Sequence, residues 1–191
     1  MNESKLVTLA QEGDVQAFEN LIEDCKLMVV NTAFSLLKNY DDALDASQDV
    51  FLKAFRCIGS YKGESSFSTW IYRITKNHCI DMIRKQGKCR TISIDETDED
   101  ERPVFEIAAD RQTEPDANAV RNARIAAVRD AIDKLPPISR ELIVMREINQ
   151  MSYNEIGEAL GLPEGTVKSR LSKAHERLKK LLKKNIELFF D

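Results

Sequence analysis

Apolar residues recur at 3.6-residue spacing along both ends of this chain, and that periodicity predicts an all-α protein. Leu6, Leu9 and Ala10 lead into a turn at Gly13-Asp14, after which Ala17, Phe18, Leu21 and Ile22 recur on one face. Another stripe runs through Val29, Val30, Ala33, Phe34 and Leu37. Asp41-Asp42 signals a helix start, and Ala43, Ser47, Val50, Phe51, Ala54 and Phe55 follow on one side. A polar loop at 59–68 precedes a helix from about Thr69 to Lys85. Helical periodicity resumes near Ala123, with Val128, Ala131, Ile132 and Leu135, stops at Pro136-Pro137, and continues to about Asn149. The best strand signal is a short alternation at 91–94.

Between the two helical stretches the chain changes character. Residues 93–116 hold ten acids against Arg102 and Arg111, so this segment cannot bury enough apolar surface to form its own core and reads as a linker. Basic charge collects on both sides of it. Residues 73–90 carry Arg73, Lys76, Arg84, Lys85, Lys88 and Arg90 against Asp81, and residues 163–184 carry eight bases against Glu164 and Glu176. The net charge of −4 hides two patches suited to a polyanion. The expected organisation is a helical domain at 1–88, an acidic linker at 89–122, a second helical domain at 123–186 and a short tail at 187–191.

Several function classes find no support in the sequence. The four cysteines, Cys25, Cys57, Cys79 and Cys89, form no CxxC pair and no metal-ligand spacing, so buried or incidental thiols are expected, with redox sensing or metal binding as the lesser alternative. No nucleotide-binding glycine loop or catalytic triad is present, and no enzyme activity, metal or cofactor is expected. No apolar run approaches the roughly 18–20 residues of a membrane span, and the first residues lack the pattern of a signal peptide. The expectation is a cytoplasmic protein without membrane insertion.

The most informative stretch is 151–184. Ser152-Tyr153-Asn154-Glu155 is a capping box opening a helix that turns Ile156, Ala159 and Leu160 inward. Gly161-Leu162-Pro163 makes a turn, with Gly161 free to take positive φ and Pro163 suited to a helix start. In the next helix Val167, Leu171, Ala174, Leu178, Leu181 and Leu182 share one face; Lys168, Ser169, Ser172, Lys173, Glu176 and Arg177 share another. A short helix, a tight turn and a helix with a polar and basic outer face describe a DNA-reading helix-turn-helix. Lys and Arg donate to guanine acceptors or phosphates, and Ser donates to either.

Residues 151–157, Met-Ser-Tyr-Asn-Glu-Ile-Gly, together with 162–171, Leu-Pro-Glu-Gly-Thr-Val-Lys-Ser-Arg-Leu, resemble the −35-reading region of the sigma-70 family, with the compact extracytoplasmic-function group most similar. The resemblance implies −35 DNA binding by Thr166, Lys168, Ser169, Arg170, Ser172, Lys173 and Arg177. Residues 42–55 resemble the sigma helix that docks on the coiled coil of the polymerase clamp, which implies core-polymerase binding by Asp45, Gln48 and Asp49. Residues 61–74 resemble the segment that captures the melted −10 element. Strand capture needs surfaces for unstacked bases, small polar groups for base edges and cations for phosphates. The residues implied are Tyr61, Lys62, Gly63, Ser65, Ser66, Phe67, Thr69, Trp70, Arg73, Lys76, Asn77 and Arg84. A loop pocket at 63–69 would hold one extruded base; Ile71, Ile74 and Trp70 fit core packing.

The implied function is that of a sigma factor, with core RNA polymerase, promoter DNA and an anti-sigma factor as partners. The linker would thread a basic channel of the polymerase or serve as a solvated tether. Two rivals remain: a polymerase-independent helix-turn-helix regulator using only 123–184, and a protein–protein adaptor.

Overall fold

A computed structural model describes the backbone of residues 2–89 and 115–183, and the side chains of residues 2–85 and 122–183. The described residues are helical with no strand among them, in the order α1 (Glu3–Gln11), α2 (Val15–Glu23), α3 (Lys26–Leu37), α4 (Tyr40–Cys57), α5 (Phe67–Cys89), α6 (Pro115–Asp133), α7 (Pro137–Ile143), α8 (Tyr153–Leu160) and α9 (Glu164–Lys183). The alternation at 91–94, most of the acidic segment and the tail at 187–191 lie outside the described residues.

Local chemistry fixes the helix starts. Asp14 caps α2 by accepting from the Ala17 N–H at 3.0 Å, and the chain reaches it through Gly13 at φ 96°. Asn39 caps α4 by accepting from the Asp42 N–H at 3.0 Å. The helix α6 begins at Pro115, inside the segment read as linker, because proline is accommodated in a first turn, where its missing N–H has no partner to lose. The run after α7 is also more irregular than its periodicity suggests. Val144–Ile148 widens into a π-turn, with the Asn149 N–H bonded to the Val144 carbonyl at 2.9 Å.

Helices α3, α4 and α5 form the centre of the N-terminal unit, with α1 and α2 packed at one end. The C-terminal unit places α9 across α6 and α7 and beside α8. The two units are in contact. One apolar core runs from Phe18, Val29, Val50, Phe67 and Ile71 into Leu142, Met145, Ile156 and Val167. Polar ties cross the same boundary: Asn149 donates to the Thr32 hydroxyl at 3.0 Å, and Lys38 pairs with Asp133.

Candidate nucleic-acid and polymerase interface

The helix-turn-helix is built as a reciprocal cap. The Ser152 hydroxyl accepts from the Glu155 N–H at 3.2 Å, and the Glu155 carboxylate accepts from the Ser152 N–H at 2.9 Å. Gly161 takes φ 66°, and the Leu162 N–H closes the turn on the Gly157 carbonyl at 2.8 Å. Val167, Leu171 and Ala174 are buried, which turns Lys168, Ser169, Arg170, Ser172 and Lys173 outward; Thr166 is half-buried. Lys168 pairs with Glu164 at 2.6 Å and lies 5.3 Å from the centre of the Tyr153 ring, which Arg146 also approaches at 4.6 Å. The hydrogen bonds and charge of Glu164 raise the Lys168 amine above its ordinary value, so it stays cationic. Arg177 is exposed but donates to the Ser139 hydroxyl at 3.1 Å, so part of its work is to tie α9 to α7.

On α4, burial of Ala43, Ala46, Ser47, Val50 and Ala54 leaves Asp45, Gln48 and Asp49 exposed. Asp49 has His78 of α5 at 3.6 Å. Leu52, 57% exposed, stands beside these residues one helical turn on. Sequence reasoning did not single it out; its i+3 spacing from Asp49 is the signal that could have.

The predicted −10 residues divide into two sets. Tyr61, Phe67 and Thr69 are buried, and half-buried Trp70 joins the two aromatics with ring centroids 5.3–5.8 Å apart. These four pack together beneath the loop, with Trp70 alone among them partly exposed, and the aromatic cluster anchors a loop poor in other apolar residues. Ile71 is buried and Ile74 packs against the same core. Lys62, Gly63, Arg73, Asn77 and Arg84 are exposed, and Ser65, Ser66 and Lys76 are half-buried. Arg84 has Asp81 at 3.8 Å.

Several of these groups are engaged by the C-terminal unit. Ser66 and Ser68 donate to the Glu155 carboxylate at 3.0 and 2.9 Å. Arg73 donates to the Glu158 carbonyl, and both Lys76 and the Tyr72 hydroxyl donate to Glu141. Burial and the Glu141 carboxylate push the Tyr72 phenol far above its ordinary range, so it remains a donor.

A cleft of about 450 Å³ opens beside the loop, lined by Tyr61, Lys62, Gly63, Ser65 and Ser66 and by residues of α1 that sequence reasoning did not assign to the site. Gly63 lies in the left-handed region at φ 71°. The Cys25 and Cys79 thiols are buried, and burial pushes them up to about 12 and about 11, which keeps them protonated. Among the described residues no cluster of His, Cys, Asp and Glu is placed to hold a metal, and no helix is long and apolar enough to cross a membrane.

Comparison with known proteins places these features in a family setting. Residues 21–89 match Sigma-70 region 2, and residues 125–178 match Sigma-70, region 4. The chain is 32% identical over 180 residues to the ECF RNA polymerase sigma factor SigW of Bacillus subtilis, covering 94% of this chain and 96% of that protein. It is 33% identical over 183 residues to the ECF RNA polymerase sigma-E factor of Escherichia coli, covering 93% of each. Among solved structures it is similar to the sigma factor RpoE in complex with the anti-sigma factor NepR from Bartonella quintana, with TM-score 0.66, 26% identity and coverage of 88% of this chain and 98% of that one. CnrH in complex with the cytosolic domain of CnrY gives TM-score 0.63 and 26% identity, over 93% and 95% of the two chains.

Proposed function

We infer the mechanism from one premise: the chain belongs to the sigma-70 family of RNA polymerase sigma factors, in its extracytoplasmic-function group. It directs RNA polymerase to promoters. Its work is recognition and strand capture; no step asks the chain to make or break a covalent bond.

The residue roles are those the family resemblance implies, and geometry and charge support them. The exposed face of α4, with Asp45, Gln48 and Asp49, docks on a basic helical surface of core polymerase, where opposite charge sets orientation. The loop at 61–66 and α5 hold the opened non-template strand. An extruded base enters the cleft while Arg73, Lys76, Asn77 and Arg84 hold phosphates. Helix α9 enters the major groove at −35, with Lys168, Ser169, Ser172 and Lys173 toward base edges and Arg170 and Arg177 toward the backbone. An anti-sigma protein is a further proposed partner, because the similar RpoE is held by one.

The observation that carries this reading is the outer face of α9: small polar and basic side chains, turned outward by a buried apolar stripe, on the second helix of a capped helix-turn-helix. Run-off transcription with core polymerase on a promoter library tests it. Lys173→Ala should change the −35 preference with core affinity unaltered; unchanged preference removes Lys173 from the reading face. Binding of an operator by the purified chain without polymerase would instead favour an independent regulator.

A further inference from the structure

Residues 1–20 lie outside the region 2 match, yet α1 is built into the strand-capture site. Leu6 and Ala10 bury one face of α1 in the shared core. The adjoining face reaches the loop. Gln11 Nε2 donates to the Ile58 carbonyl at 3.1 Å and to the Tyr61 carbonyl at 2.9 Å. Glu3 receives the Phe67 N–H at 3.4 Å, a long contact at the start of α5. Glu3, Ser4, Val7 and Gln11 form one wall of the cleft whose other wall is the loop.

The loop needs such a hold. It contains Gly63 at φ 71°, and glycine leaves the backbone many conformations to choose from. Tyr61 is its pin. Its N–H is bonded to the Ile58 carbonyl at 3.0 Å, its hydroxyl donates to the Ser65 carbonyl at 2.7 Å, and its ring packs on Phe67 and Trp70. The ring and hydroxyl secure the side chain, whereas Gln11 secures the peptide on either side of the turn. A displacement of that peptide would carry Lys62, Gly63 and Ser65 with it, and these residues form the rim of the cleft.

We propose that Gln11 is a positioning residue for −10 strand capture: by holding the carbonyls of Ile58 and Tyr61 it sets the shape in which the loop receives an extruded base. The assignment rests on reading this loop as the capture site. Gln11 itself need not touch the strand. Its carboxamide is suited to the task because both Nε2 hydrogens can be committed to carbonyls at once.

The test uses holoenzyme and a non-template-strand oligonucleotide carrying the −10 element that wild-type holoenzyme selects from a random library. Binding is compared with the same oligonucleotide made abasic at the extruded position. The ratio of the two affinities reads base capture, and core affinity is measured for every variant as a check on folding. Gln11→Met keeps the side chain's length but has no donor; it should lower the ratio by about tenfold with core affinity intact. Gln11→Lys, which can still donate to both carbonyls, should restore most of the ratio. Gly63→Val distorts the loop directly and should lower the ratio too. A normal ratio for Gln11→Met beside a lowered one for Gly63→Val overturns the role of Gln11 and leaves the capture reading standing. A normal ratio in both variants overturns the capture reading and the proposal with it. A uniform loss of binding to both oligonucleotides leaves the ratio unchanged and counts against Gln11, since it marks general destabilisation.

Discussion

Glu155 serves two structures with one carboxylate. It completes the cap of α8 by accepting from the Ser152 N–H, and it receives the hydroxyls of Ser66 and Ser68 from the N-terminal unit. Burial alone would raise its titration point, but hydrogen bonds from Ser152, Ser68 and Ser66 outweigh that penalty and hold the carboxyl below its ordinary value of 4.5. A carboxylate depressed in the folded chain contributes its full stabilisation above the ordinary value, and loses it as pH falls through the lowered one. Wild type should therefore melt higher than Glu155→Gln at neutral pH, with a constant gap through weakly acid solution. The gap should narrow only below the ordinary carboxylate range. Thermal melts of both proteins across pH check this; a gap that persists undiminished into strong acid would show that the charge contributes nothing.

At the scale of the element, the turn between α8 and α9 depends on an absent side chain. A Cβ on Gly157 would lie 2.7 Å from the Leu162 carbonyl oxygen, a distance real Cβ atoms do not tolerate. Alanine gains about 1 kcal/mol of helix propensity over glycine. Here that gain is opposed by displacement of a backbone whose own N–H closes the turn on Gly157 at 2.8 Å. Gly157→Ala should cost a net of about 1–2 kcal/mol in urea unfolding and weaken −35 binding. An increase in stability would mean the turn relaxes without penalty. The cap at Ser152, the positive φ of Gly161 and the inward stripe of α9 were all legible in the sequence, because each is a local rule obeyed by adjacent residues. The π-turn at Val144–Ile148 was not, since a 3.6-residue reading has no term for one extra residue in a turn that buries both Val144 and Met145. Nor was the start of α6 at Pro115, because acidic composition there outweighed the helix-start signal of proline. In the −10 segment the sequence leaves Phe67 open between wedging beside the pocket and packing at the helix start; here it is only 2% exposed, and composition cannot separate a ring that stacks on a base from one that stacks on its neighbours.

For the whole molecule, charge and periodicity gave two helical units and a connecting segment, but not the face on which the units meet. That face is hidden from a sequence reading because its residues carry two assignments at once. Ser66, Arg73 and Lys76 are read as strand-binding groups, and here they are partnered by Glu155, the Glu158 carbonyl and Glu141. On the proposed roles, promoter strand and C-terminal unit would compete for the same donors, and strand capture would require the units to part. Glu141 is the acceptor whose loss should loosen them most. It takes bonds from both Lys76 and the Tyr72 hydroxyl, at 2.8 Å for the latter, and Tyr72 is only 2% exposed. A buried hydroxyl left without its acceptor costs about 1–3 kcal/mol. Glu141→Ala should therefore shift the free chain toward a separated form, seen as a larger radius of gyration by small-angle scattering. In holoenzyme, where the units must already be apart to reach both promoter elements, the same variant should leave −10 strand affinity unchanged. An unaltered radius in the free chain would show that the apolar core shared by the units, rather than this polar acceptor, holds them together.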